Sequence, residues 1–186
     1  GADAGVIGLR LKLTIASVLE TGGSMLNAVR RSQRLLSDED SRFATLCGVV
    51  IDPTYNQIEW VNAGHLAPLI ISDGGERFEL GNSGPLLSSL GGVWRSETTR
   101  FDDHHTMVMW TDGITEARDE AGEQLEDAGI HELVSHLLAA AQTSSKELVQ
   151  SVIAAARSRA TEDQWKRDDV TLIAARLKPA AVPAED

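Results

Sequence analysis

Carboxylate side chains flank two apolar runs that lie more than fifty residues apart. Asp112 directly follows the run Met107–Thr111. Asp168 and Asp169 directly precede the run Val170–Ile173. If the two runs are neighbouring antiparallel strands, the end of one lies beside the start of the other. The carboxylates are then expected at one edge of a sheet.

Carboxylates held this close repel each other unless a proton or a cation lies between them. Oxygen-only ligands suit a hard divalent cation such as Mg²⁺ or Mn²⁺. Each half of the pattern is weak alone, because Asp112-Gly113 is a common turn pair and Asp168-Asp169 is typical of a solvated loop before a strand. Taken together, they indicate a metal-dependent hydrolase.

The composition is that of one soluble globular domain and argues against several other functions. The chain has 186 residues, of which 42% are hydrophobic and 24% charged. No apolar run approaches the roughly 20 residues that span a bilayer. A net charge of −11 argues against general affinity for nucleic acid or anionic membranes. It does not oppose a phosphoprotein substrate if metal ions reverse the local sign.

The single cysteine, Cys47, lies in an apolar run and is expected to be a buried structural thiol rather than a nucleophile. Since nothing in the sequence requires an oxidising compartment, the expected location is the cytoplasm.

The elements that must position the acidic residues are predicted in the order helices, a run of strands, two helices and one returning strand. Val6–Glu20 fits both a strand and a helix, and its pattern alone leaves the choice open. Ser24 is expected to cap an amphipathic helix. The strands predicted after it are Phe43–Ile51, Ile58–Asn62, Leu69–Ser72, Phe78–Leu80, Trp94–Phe101 and Thr106–Thr111. Two helices follow, over Ala128–Ala141 and after a cap at Ser144 or Ser145, and then a last strand, Val170–Leu177.

A late strand that pairs far back in the chain indicates an α+β sandwich rather than a repeating βαβ fold. Gly81–Gly92 is predicted to be a loop, and the proline-containing stretch 179–186 a flexible tail. The remainder, residues 1–178, is predicted to be one domain.

Three strings together resemble one family. They are Asn-Ala-Gly-His at 62–65, Thr-Asp-Gly-Ile-Thr-Glu-Ala at 111–117 and Asp-Asp-Val-Thr at 168–171. In order and spacing they are similar to the SpoIIE/RsbU branch of the PP2C-like (PPM) metal-dependent serine/threonine phosphatases, over about residues 1–178. The resemblance implies a PP2C-like sandwich of two antiparallel β-sheets flanked by α-helices. It also implies that the segment from Val6 is helix.

For the site, the resemblance implies a two-metal centre of Mg²⁺ or Mn²⁺ that activates a water, with no covalent protein nucleophile. Asp112 matches the strand-final metal ligand, and Gly113 lies next to it. Asp168 matches the second ligand, and Asp169 takes that role if the register differs by one. His65 stands where relatives outside this branch place an aspartate for a third metal, so it is expected near the site rather than among its ligands.

One departure concerns the N-terminus. The family's first metal aspartate lies in an Asp-x-x-Gly-x-Gly segment before the first long helix, and Gly1–Gly5 resembles the end of that segment without it. Asp3 is a poor substitute for this ligand. It lies on the helix side of the segment's glycine, where a carboxylate stabilises the N-terminus of the helix through the helix dipole. The chain is therefore expected to lack its N-terminal part, including the bridging ligand and two strands, and to have an incomplete metal centre.

The resemblance implies a protein phosphatase domain whose substrate is a phosphoserine or phosphothreonine on a signalling partner of the anti-sigma-factor-antagonist type. The alternative is a catalytically silent interaction or dimerisation module with an incomplete metal site. Expected partners are therefore the phosphoprotein and, as an open alternative, a second copy in a homodimer. Neither nucleic acid nor membrane is expected.

Overall fold

The computed structural model describes residues 2–36, 42–140 and 144–178. The chain divides into two compact units. The first unit comprises Gly1–Ala67 and Leu80–Phe101, and the second comprises Pro68–Glu79 and Asp102–Asp186. The predicted tail, 179–186, lies outside the described residues.

Each unit contains both helices and strands. In chain order the elements are α1 Ala2–Glu20, α2 Met25–Arg34, β1 Phe43–Ala44, β2 Leu46–Asp52, β3 Gln57–Ala63, β4 Leu69–Ser72, β5 Arg77–Glu79, β6 Leu87–Ser88, β7 Glu97–Arg100, β8 His105–Trp110, α3 Asp112–Thr115, α4 Glu126–Ala140, α5 Ser145–Arg159, α6 Glu162–Trp165 and β9 Leu172–Arg176.

The first segment is helical, as the resemblance implied. Leu11 and Val18 of α1 are buried in one apolar cluster with Met25 and Val29 of α2. This helix-on-helix packing decides what the local pattern left open, because residues seven apart lie on one face of a helix. The predicted cap is confirmed, since the side chain of Ser24 accepts a hydrogen bond from the main-chain N–H of Asn27.

The first unit contains a three-stranded antiparallel sheet in the order β2-β3-β7 and a separate pair, β1-β6. The single strand predicted over Phe43–Ile51 is therefore wrong at Thr45, where the chain passes from one sheet to the other. The loop predicted over Gly81–Gly92 contains the short strand β6, which pairs with β1. Two-residue pairings leave no periodic signal in a sequence, which explains both differences.

The second unit contains a four-stranded antiparallel sheet in the order β5-β4-β8-β9. The pairing of β8 with β9 confirms the prediction that the two acidic stretches flank neighbouring antiparallel strands, and Trp110 lies opposite Leu172. Helix α5 packs against both α4 and β9. The short helices α3 and α6 were not predicted. No described helix is long and apolar enough to cross a membrane.

Candidate metal centre

The two acidic stretches meet just beyond the paired ends of β8 and β9. The main-chain N–H of Thr111 donates to the carbonyl oxygen of Thr171 at 3.1 Å, which continues the ladder by one residue. The hydroxyl of Thr111 then donates to the carbonyl oxygen of Asp169 at 3.0 Å and accepts from the N–H of Thr171 at 2.9 Å. The side chain of Thr111 therefore joins the main chain beside Asp112 to the main chain of Asp169 and Thr171.

Gly113 allows the main chain of Asp169 to lie close to the start of α3. A Cβ atom built on Gly113 would lie 2.5 Å from the carbonyl oxygen of Asp169 and 3.0 Å from its carbonyl carbon. The first distance is shorter than Cβ atoms show in proteins, so a side chain at this position would force the main chain of Asp169 to move. Packing against Asp169 therefore requires glycine at position 113.

All three carboxylates are exposed. Asp112 opens α3, where its carbonyl oxygen accepts from the N–H of Glu116 at 2.8 Å and the hydroxyl of Thr115 at 3.2 Å. The Oδ1 atom of Asp168 accepts from the N–H of Asp169 at 2.7 Å. The remaining carboxylate oxygens are of the type that Mg²⁺ and Mn²⁺ prefer.

The number of ligands is smaller than a metal site needs. Among the residues that the structure describes, no three or more histidine, cysteine, aspartate or glutamate side chains are grouped closely enough to hold a metal ion. The donor chemistry at this edge therefore fits a hard divalent cation, whereas the described ligand set is partial.

Trp110, the residue before Thr111, is anchored from helix α4. It is 3% exposed, and its indole N–H donates to Oδ1 of Asp127 at 3.1 Å. The ring of His131 meets the indole edge to face, with centroids 5.6 Å apart. These contacts fix the end of β8 against the first turns of α4. The main chain leading to Asp112 is therefore held by α4 through Trp110 and by the residues before β9 through Thr111.

Two of these residues, Thr111 and Asp127, were not singled out from the sequence. Thr111 carried a usable signal, because it lies between a buried strand and the Asp-Gly pair. The partner of its hydroxyl is 58 positions away, and sequence spacing does not reveal such a contact.

His65 belongs to the first unit, where Asn62 shapes its loop. Asn62 is fully buried, and its side chain accepts from the N–H of His65 at 2.9 Å while donating to the carbonyl oxygens of His65 and Leu80. Gly64 has a φ of 74°, a left-handed conformation that favours glycine. Nδ1 of His65 lies 3.2 Å from the hydroxyl of Thr45. The side chain of Asn62 therefore fixes the main chain of this loop, while the imidazole itself contacts Thr45.

Three histidines of the second unit form separate contacts with carboxylates. His105 lies 2.6 Å from Oδ1 of Asp102, and His104 lies 3.2 Å from Oδ2 of Asp73. His131 contacts Trp110 and lies 3.6 Å from Oε1 of Glu79. Each set holds too few ligands for a tetrahedral zinc ion.

Comparison with known proteins agrees with this arrangement. The family model described as Stage II sporulation protein E (SpoIIE) matches residues 1–178. The chain belongs to the SpoIIE family. It is therefore placed in the SpoIIE/RsbU branch of the PP2C-like phosphatases, as the three strings indicated.

A curated relative is Protein IcfG of Synechocystis sp., which is 26% identical over 153 residues. These residues make up 80% of this chain but 23% of the length of IcfG, so the chain corresponds to less than a quarter of that relative.

Solved structures show the same fold. The SiaA-PP2C domain of Pseudomonas aeruginosa gives a TM-score of 0.79 at 20% identity and covers 96% of this chain and 72% of the other. The PP2C phosphatase domain of SpoIIE from Bacillus subtilis, solved with a fragment of its regulatory domain, gives 0.75 at 16% identity, covering 95% and 51%. The α+β fold with antiparallel sheets and flanking helices is thus that of PP2C domains. Structures of this fold include one in complex with magnesium and one presoaked with manganese.

Proposed function

We propose that this chain is the phosphatase domain of a metal-dependent protein phosphatase that hydrolyses phosphoserine or phosphothreonine on a signalling protein in the cytoplasm. Membership of the SpoIIE family supports the phosphatase class. The observation that carries the proposal is the junction of β8 and β9, where Thr111 and Gly113 bring Asp112 and the Asp168-Asp169 stretch together.

In this proposal Asp112 and Asp168 each hold a divalent ion, and Asp169 replaces Asp168 if the register differs by one residue. Bound Mg²⁺ or Mn²⁺ supplies an activated water and neutralises the phosphoryl oxygens. The protein's own contribution is to hold the carboxylates in place before the metal arrives. Thr111 does so through two hydrogen bonds, and Gly113 does so by leaving room for the main chain of Asp169.

The proposed substrate is a phosphoprotein of the anti-sigma-factor-antagonist type. A solved structure of this fold, with a TM-score of 0.57, comes from work on the bacterial stressosome and its control of second-messenger signalling. The net charge of −11 does not oppose this substrate if bound metal ions reverse the local sign and attract the phosphoryl group.

The second candidate is a catalytically silent interaction or dimerisation module. It is favoured by the partial ligand set, since no group of three or more metal-binding side chains occurs in residues 2–36, 42–140 and 144–178. Such a module would keep the fold and bind a partner without hydrolysis.

Hydrolysis of p-nitrophenyl phosphate by the intact protein, with and without Mn²⁺, separates the two candidates. We expect hydrolysis that requires Mn²⁺ and that Asp112→Asn reduces by at least about a hundredfold, as loss of a charged metal ligand does. Asp103→Asn is the matched control, because it removes a carboxylate beyond the opposite end of β8. Hydrolysis that is absent, independent of metal or unchanged in Asp112→Asn would favour the silent module.

A further inference from the structure

A shallow groove of about 620 Å³ lies in the second unit where β5, α4 and the end of α5 meet. Arg77 of β5 and Arg159 at the end of α5 are the two arginines of its lining. The rest of the lining comes from α4, between Gly129 and His136. None of the proposed metal ligands lines the groove, so it is separate from the candidate metal centre.

Both arginines are exposed, so a ligand can reach them without any rearrangement. Within the part of the chain that the structure describes, neither Arg77 nor Arg159 forms a side-chain hydrogen bond or an ion pair. Arg176 of the same unit, by contrast, already donates to Asp73. A guanidinium is always charged and presents five N–H donors that match the geometry of a carboxylate. The two unpaired arginines therefore select an anionic ligand.

Two further titratable residues line the groove from α4. Glu132 and His136 are four positions apart, so they share one face of the helix, and both are exposed. The imidazole of His136 adds an N–H donor in either tautomer. The carboxylate of Glu132 repels an anion that approaches it closely. The acidic groups of a ligand are therefore expected at the arginines and away from Glu132.

The shape of the groove favours a polypeptide over a small molecule. Small-molecule sites enclose most of their ligand, whereas the two arginines, Glu132 and His136 leave this lining largely exposed. The part of α4 in the lining is about two helical turns, or roughly 10 Å, long. Three residues of extended chain span about the same length. A short segment can therefore lie along the groove, where the half-buried Leu133 offers an apolar contact.

We propose that this groove docks a short acidic segment of a partner protein. Carboxylates of the segment pair with Arg77 and Arg159, its main chain lies along α4, and an aliphatic side chain contacts Leu133. The net charge of −11 does not prevent this contact, because charges more than about 8 Å apart are largely screened at physiological ionic strength. The assignment does not depend on the proposed phosphatase activity, since it uses none of the proposed metal ligands.

The test is a titration of the protein with the peptide Asp-Glu-Leu-Glu-Asp, blocked at both ends, followed by proton–nitrogen NMR. We expect the main-chain amide signals of Gly129 and Leu133 to shift in a saturable way at physiological ionic strength. The matched peptide Asn-Gln-Leu-Gln-Asn has nearly the same shape and no charge. It is expected to shift these signals little.

Arginine variants give the matched comparison within the protein. Arg77→Gln and Arg159→Gln are each expected to weaken binding of the acidic peptide about threefold, the effect of removing one exposed ion pair. Arg157→Gln removes the same charge from α5, but Arg157 lies about 200° around the helix from Arg159 and outside the groove, so binding should be unchanged. Glu132→Gln should tighten binding about threefold, because it removes the repelling carboxylate. Thermal unfolding of each variant checks that the fold is intact.

Four results would overturn the proposal. A lack of saturable shifts up to the solubility limit of the peptide would mean that the groove does not bind it. Equal binding of the uncharged peptide would mean that charge is not recognised. Equal weakening by Arg157→Gln and Arg159→Gln would mean that only net charge matters. Displacement of the peptide by an equal concentration of inorganic phosphate would make the groove a small-anion site.

Discussion

The hydroxyl of Thr111 donates to the main-chain oxygen of Asp169 at 3.0 Å, across 58 positions of sequence. The same oxygen atom of Thr111 accepts from the N–H of Thr171. Thr111 precedes the short helix α3, but its side chain makes no capping hydrogen bond there, because its hydroxyl bonds across to the other strand. The Thr-Asp-Gly string therefore joins two strands as well as carrying the proposed ligand Asp112 and opening α3.

Replacing Thr111 tests this junction. Thr111→Val removes both hydrogen bonds at nearly constant shape, whereas Thr111→Ser keeps the hydroxyl. We expect Thr111→Val to lower the free energy of unfolding by about 1 kcal/mol and Thr111→Ser to lower it by less. Because the valine variant frees the Asp168-Asp169 main chain, its Mn²⁺-dependent hydrolysis should also fall and require more metal. Urea denaturation and metal titrations of the rate measure the two effects, and equal metal dependence in both variants would contradict the positioning role.

Gly113→Ala tests the close approach of the second acidic stretch. The added Cβ would lie 2.5 Å from the carbonyl oxygen of Asp169, so the main chain there must shift. We expect a loss of unfolding free energy of about 1–3 kcal/mol, typical of overpacking. Gly8→Ala is the control, because a Cβ at Gly8 meets nothing within 4 Å and alanine is favoured in a helix. Thermal denaturation should show the first variant destabilised and the second unchanged or more stable.

Asp168 and Asp169 can be distinguished by separate replacement with asparagine. Oδ1 of Asp168 accepts the N–H of Asp169, which orients the first carboxylate within its own loop. We expect Asp168→Asn to raise the Mn²⁺ concentration needed for half-maximal hydrolysis at least about tenfold, as loss of a metal contact does. Asp169→Asn should have the smaller effect, since Thr111 holds its main chain rather than its side chain. The reverse order would move the ligand assignment to Asp169.

Cys47 is expected to be unreactive in the folded protein. Cys47 is half-buried rather than fully buried as the sequence predicted, and this partial burial raises the pKa of its thiol from 9.0 to about 12. Since the thiolate is the nucleophile, alkylation by iodoacetamide at pH 8 should be at least about a hundredfold slower than in the unfolded chain. Quantifying the modified peptide with and without urea tests this. Rapid alkylation of the native protein would contradict the burial of the thiol.

The raised pKa of Cys47 also makes the free energy of unfolding depend on pH. A folded-state pKa above the unfolded value means that the neutral thiol is favoured in the folded state. Its contribution is complete below about pH 9 and is lost as the pH rises toward 12. Comparing the pH dependence of unfolding for wild type and Cys47→Ala isolates this contribution, because other groups that titrate there are common to both proteins.

The two carboxylate stretches and their place at strand ends could be read from the sequence, because each adjoins a buried apolar run. The cap at Ser24 and a cap at Ser144 or Ser145 could be read as well, since capping depends on residues three positions apart, and the structure decides for Ser144. The order of the longer strands and helices after α1 followed from the same local signals, whereas the short elements β1, β6, α3 and α6 did not. That β8 pairs with β9 was an inference from the sequence, and the register in the structure confirms it.

Contacts between residues far apart in the chain could not be predicted from the sequence. The helical state of α1 depends on Leu11 and Val18 packing against α2, and its local pattern equally allowed a strand. The division of Phe43–Ile51 between two sheets depends on the partner strands β6 and β3.

At the candidate centre, the sequence by itself determined which residue types could bind a metal and that they occur where strands end. The tertiary structure decided how they are held, through Thr111, Gly113 and the anchor of Trp110 on Asp127. The physical reason is range. Capping and periodicity act over a few residues, whereas hydrogen bonds and steric contacts across a sheet join atoms whose sequence separation carries no signal.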